Sequence, residues 1–133
     1  SRFLEEEKLK QYHYKVTSPS LSPGAKFDGF YKSKKRSFCL PVDFAAENLS
    51  LSIRETAINF FRDRDIKWHD GQNGNPSNHL CDSQVCCVNF LFPFSDKPQS
   101  LKGHEDQFFL ICWKCCLLTV GNMFRLNGLV SKI

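Results

Sequence analysis

The sequence predicts a mainly α chain, on three observations. Two segments place apolar residues at helical spacing, a third is rich in helix formers, and the strand signals are short or ambiguous. At 133 residues, 41% hydrophobic and 24% charged, the chain suits one soluble globular domain rather than a disordered segment. Thirteen Phe make aromatic packing the expected feature of its core.

Residues 3–14 (FLEEEKLKQYHY) place Leu4, Lys8 and Leu9 at helical spacing and predict a short, weakly amphipathic helix. It occupies a first segment, residues 1–16. Residues 17–46 form a loop-rich basic segment that opens on TSPSLSPGAK, with two Pro and a Gly. A short extended piece is expected at Ser37-Phe38-Cys39-Leu40, because the residue before Pro41 is pushed towards β or polyproline geometry.

The region 47–94 carries the strongest signals. From Asn48 to about Arg64, Leu49, Ile53, Ala57 and Phe60 fall on one helical face, widened by Ile58 and Phe61. Asn48 is expected to cap the first turn, with Glu47 opposing the helix dipole. Residues 67–78 are turn-rich, with Asp70-Gly71, Asn73-Gly74 and Asn75-Pro76. Ser77 or Asn78 is then expected to cap a second helix, on which Cys81, Val85, Val88 and Phe92 recur. Pro93 ends it by removing an amide and restricting Phe92. Apolar over most of its circumference, that helix is expected to be buried on more than one side. Residues 95–133 form a divergent tail in which FFLICWKCCLLTV has no period that separates strand from buried helix.

The formal charge of +4 is mild, but Lys32, Lys34, Lys35 and Arg36 form a compact basic run flanked by Phe30, Tyr31 and Phe38. Such a run suits phosphate contact, and also suits a merely solvated loop. No apolar leader is visible, since Phe3-Leu4 runs straight into Glu5-Glu6-Glu7-Lys8, and no apolar stretch reaches the roughly 18 residues of a membrane span. A cytoplasmic protein with its seven cysteines reduced is expected, with no membrane partner.

Trp68-His69-Asp70 stands at a helix exit, where Asp65, His69 and Asp70 could hold a cation; a lone His there is more often simply hydrogen-bonded. Ser83, Gln84 and Asn89 are polar groups on a helix that otherwise reads as buried, so each needs a partner or a cleft to face. Cys112-Trp113-Lys114-Cys115-Cys116 contains one CxxC, with His104 upstream. One pair without a second knuckle is a weak zinc signature. No residue is assigned as a metal ligand or as catalytic.

The run ENLSLSIRETAINFFRDRDIKWHDG, followed by PSNHLCDSQVCCVNFLFPF, resembles a restriction-endonuclease-like family of the PD-(D/E)xK nuclease superfamily. The shared features are a helix ending in an aromatic pair, then Ile66-Lys67-Trp68-His69, and then His79-Leu80 leading to Ser83-Gln84, Cys87, Asn89 and Pro93. Leu40-Pro41 and Asn48-Leu49 also fit. The resemblance implies the helical front part of an α/β nuclease, whose mixed sheet carries an Asp and a Glu-x-Lys. Those acids would hold Mg²⁺ while the Lys helps activate a water for attack on a phosphodiester. In the family they follow the Phe-Pro-Phe region, and residues 95–133 supply none of them.

The implied chain is therefore a fragment with its core sheet missing or incomplete, inactive alone and holding no cofactor itself. DNA is its implied partner. The basic run is the expected contact, and Trp68, His69, Ser83, Gln84 and Asn89 are the candidates to face a cleft. Codons for Phe109 to Ile133, read two bases later with suitable synonymous choices, give PDLLEMLPIDRWQHVSFEWIGLKN, which resembles the family's continuation. The tail is accordingly expected to be out of frame. Two alternatives stand beside this reading: a small nucleic-acid-binding module with a Cys/His zinc site, and a helical protein-interaction domain.

Overall fold

A computed structural model describes residues 1–95 of the chain. The CxxCC run and the tail expected to be out of frame lie outside them. The described residues fall in two units, Ser1–Asp82 and the stretch from Ser83 onward. They are mainly helical. The one sheet among them is a two-stranded antiparallel ribbon, so no larger sheet is assembled there.

Helix α1 spans Arg2–Thr17, started by the Ser1 hydroxyl, which accepts from the Leu4 amide at 3.3 Å. It ends at Ser18, extended before Pro19 as a pre-proline residue should be. Pairs Arg2–Glu6, Lys8–Glu5 and Lys10–Glu7 line its surface, where each contributes little. Leu4 and Leu9 are exposed, so the helix buries little apolar surface. The fully buried residue of α1 is Lys15. Its ammonium donates to the Phe27 carbonyl (3.1 Å), Asp28 Oδ1 (3.0 Å) and the Cys39 carbonyl (3.2 Å), so it staples α1 to the chain beyond.

After a 3-10 turn at Pro23–Lys26, strands β1 (Gly29–Tyr31) and β2 (Lys34–Arg36) form a hairpin. Lys32 and Ser33 at its tip both have φ near +50 to +60°, the backbone of the tight two-residue turns that follow strand twist. Gly29 is required by packing: a Cβ there would meet the Leu40 carbonyl oxygen at 1.8 Å. The extended piece expected at 37–40 survives as a bridge between Cys39 and His79. Leu21, Ala25 and Leu40 form a small core, with Phe44 and Leu80 packed against it.

The long helix expected from Asn48 is shorter. Val42–Asn48 is a 3-10 segment, and α2 runs only from Arg54 to Asp63. Leu49, Ile53 and Ala57 are buried as the spacing predicts, but Phe61 takes the place expected for Phe60. Asn48 is not a cap. Its amide donates to the carbonyls of Ser77 (2.8 Å) and His79 (2.9 Å), and α2 begins after Ile53 without a side-chain cap. The Asn73-Gly74 turn forms, with both residues at positive φ.

In the second unit, α3 spans Ser83–Leu91, and Phe92–Phe94 continues as a 3-10 turn that includes Pro93. Gln84, Val85, Cys87, Val88 and Leu91 are buried, which matches a helix apolar on most sides. Neither Ser77 nor Asn78 caps it. The Asn78 amide donates to the Phe30 and Leu40 carbonyls, and Cys81 and Asp82 precede the helix. Cys39, Cys81 and Cys86 are free thiols. No helix among the described residues is long and apolar enough to cross a membrane.

Candidate nucleic-acid interface

The basic run is the turn and second strand of the hairpin, not an irregular loop. The register pairs Tyr31 with Lys34, Phe30 with Lys35 and Gly29 with Arg36. Side chains alternate across a strand, so Lys34 and Arg36 share one face and Lys35 takes the other with the exposed Phe30. Lys32 sits at the tip, its amine 5.2 Å from the Tyr31 ring centroid. Lys32, Lys34 and Lys35 are exposed and Arg36 is half-buried. The four cations are brought together in space but divided between two faces.

Backbone bonds at Cys39, to the Gly29 amide and the Arg36 carbonyl, and three side-chain interactions hold this hairpin to the rest of the first unit. Asn78 Nδ2 donates to the Phe30 carbonyl at 2.9 Å. The Tyr31 ring meets His79 edge-on at 4.8 Å, and the Tyr31 hydroxyl donates to Asp70 Oδ2 at 2.6 Å. That hydrogen bond to a carboxylate, more than burial, pushes the Tyr31 phenol up to about 12. Asp70 lies in the loop 65–75, whose positive-φ residues Asp65, Asp70, Asn73 and Gly74 turn it tightly.

His69 and Asp70 meet Asp82, which sequence spacing did not connect. His69 Nδ1 lies 3.2 Å from Asp82 Oδ2 and 3.8 Å from Asp70 Oδ2. The Asp82 side chain is only 5% exposed, against 60% for His69. Asp65, grouped with His69 and Asp70 in the sequence reading, is not part of this set. Trp68 points elsewhere. It stacks on Phe61 at 3.8 Å with planes 10° apart and lines an open pocket of about 370 Å³ with Arg62, Asp65, Ile66 and Lys67. Its indole nitrogen is buried without a partner among the described residues.

Ser83, Gln84 and Asn89 lie on α3 in the second unit, Gln84 buried and the other two half-buried, each with partners. His79 was missed as a structural centre. The Cys81 amide donates to its Nδ1 at 2.9 Å, which requires that nitrogen to be unprotonated. Burial lowers its pKa, so the neutral imidazole is favoured in the folded state. Below the ordinary histidine range the unfolded chain then binds more protons than the folded one. Stability should fall as pH drops through about 6.5 and level off once His79 is charged in both states. Urea midpoints between pH 8 and 5 should show this slope, and His79→Gln should flatten it.

A family model described as "Restriction Endonuclease associating with ARP" matches residues 7–110. No curated protein and no solved structure matches the chain. The match takes in the hairpin, the His69 loop and α3 together, and the chain belongs to the family of restriction endonucleases associating with ARP.

Proposed function

We propose that this chain is the DNA-engaging front part of a restriction-type endonuclease of the PD-(D/E)xK kind, and that it does not cleave DNA by itself. The observation that carries the reading is the exposed basic hairpin, anchored by Asn78 and Tyr31, in a member of an endonuclease family. Lys32, Lys34, Lys35 and Arg36 on a short rigid ribbon suit phosphate contacts, which position a protein on a duplex without reading its sequence. Phe30 beside Lys35 adds an aromatic surface to one face.

The inactive half of the proposal rests on where acid-x-Lys sequences fall. Asp65-Ile66-Lys67 lies in the turn after α2, with Asp65 at φ 52°, and Glu6-Glu7-Lys8 lies on α1. Neither is on a strand, where the Asp and Glu-x-Lys pair must converge on Mg²⁺. In the whole nuclease those residues would hold the metal, while the hairpin and the His69 loop orient the duplex. That the tail from Phe109 is out of frame stays part of the proposal and rests on the shifted reading of its codons alone. The gene's codons decide that point: a shifted frame without the FEWIG-type peptide ends it.

Incubation of the pure chain with supercoiled plasmid and Mg²⁺ should leave the plasmid intact. Metal-dependent nicking that copurifies with the chain would overturn the proposal. A second reading, a surface for a protein partner, is favoured by α1. Its Leu9, Tyr12 and Val16 are exposed at i, i+3 and i+7, and the family's description itself names an association.

A further inference from the structure

We propose that His69, Asp70 and Asp82 form a binding site for a divalent cation of the Mn²⁺ class, separate from any catalytic Mg²⁺ site of the whole nuclease. The three ligand atoms lie within 4.8 Å of one another, two of the separations being 3.2 and 3.8 Å. An ion bound at roughly 2.1–2.2 Å needs ligands about 3 to 4.3 Å apart, so sub-ångström adjustments let one ion touch all three.

The donor set is mixed, one imidazole nitrogen with two carboxylate oxygens. Imidazole disfavours a purely hard ion such as Mg²⁺, and the lack of thiolate disfavours a soft one. Two features set the cluster apart from an exposed acidic patch. The Asp82 side chain is 95% buried, so one carboxylate has been withdrawn from water into the site. The Tyr31 hydroxyl holds Asp70 from outside the cluster, as an outer-sphere donor fixes a metal-binding carboxylate. Among the described residues, His69 is the only ion-pair partner of Asp70, and it is a weak one at 3.8 Å.

The position gives the ion a task. Asp70 is tied through Tyr31 to β1, so a cation here would lock the loop 65–75 to both the hairpin and the segment that carries Asp82. It would also neutralise two carboxylates beside cations proposed to meet phosphate. That second consequence rests on the DNA reading, whereas the site itself does not.

Mn²⁺ titration of the full chain at pH 7 without DNA, read by loss of the free-ion paramagnetic resonance signal, tests the site and avoids capture by thiols. The expected result is one bound ion per chain. His69→Ala and Asp70→Asn should each weaken binding at least about tenfold, and Tyr31→Phe about tenfold through a loosened Asp70. Both His69 and Asp70 are surface residues, so these variants should keep the wild-type circular dichroism spectrum. A wild-type chain that leaves Mn²⁺ free overturns the proposal, as does unchanged affinity in both ligand variants. Displacement by equimolar Mg²⁺ overturns the choice of ion class. A chain that binds Mn²⁺ but not DNA would sink the functional reading and leave this site standing.

Discussion

Replacing Lys15 by Met should cost about 3 kcal/mol of unfolding free energy. The side chain is fully buried and its ammonium has three acceptors, two of them backbone carbonyls at Phe27 and Cys39. Removing the ammonium takes the Lys15 donor from the Phe27 carbonyl and leaves the Cys39 carbonyl with the Gly29 amide alone, at 3.0 Å, and a buried acceptor that loses a charged donor costs more than the bond was worth. The Asp28 partner is 41% exposed, so the ionic part is screened by water and adds little. Asp28→Asn should therefore cost far less than Lys15→Met. Urea unfolding of both variants separates the two: equal losses would mean that the ion pair, rather than the carbonyl cage, holds α1 in place.

Asn78→Ala should cost about 2 kcal/mol and loosen the hairpin selectively. The amide donates to the Phe30 carbonyl at 2.9 Å and to the Leu40 carbonyl at 2.7 Å, the latter buried. The Leu40 amide returns a bond to the Asn78 carbonyl at 2.8 Å, so side chain and backbone clamp the same two segments. Alanine keeps the backbone bond and loses both side-chain bonds. Amide exchange should accelerate more in residues 29–36 than in α2. Uniform acceleration across the unit would mean that Asn78 is a general core residue and not a hairpin anchor.

These two residues also mark the limit of what the sequence shows. Local rules worked where the cause was local. The stripe Leu49, Ile53 and Ala57 is buried, Asn73-Gly74 turns, and Pro93 lies just past the end of α3. Asn48, Ser77 and Asn78 were read as caps because short polar side chains before an apolar run usually bond to the next turn. Each is spent on a distant or non-helical partner instead: Asn48 lies 29 and 31 residues from its acceptors, and Asn78 lies 48 and 38 from its own. No spacing rule encodes such pairs.

Lys15 was invisible for a similar reason, since a lysine in a charged helix normally faces water. The candidate interface divides along the same line. The four cations of the hairpin were legible as a run, but not their split between two faces, which depends on a tip at Lys32-Ser33. Trp68 and His69 are sequence neighbours with different surroundings, one in the aromatic pocket and the other beside Asp82. Asp82 had no signal at all, because its role depends on the fold returning residue 82 to residue 69.

The central claim, that the hairpin engages DNA through phosphates, is tested most directly by the salt dependence of DNA affinity. Affinity should fall linearly on a log–log plot, with a slope of about 0.9 per phosphate neutralised. Because Lys35 faces away from Lys34 and Arg36, no more than three of the four cations should engage one duplex together. Joint replacement of Lys32, Lys34, Lys35 and Arg36 by Ala should therefore flatten the slope by roughly two to three units. A wild-type chain without salt-dependent binding, or a slope unchanged in the variant, would contradict the account.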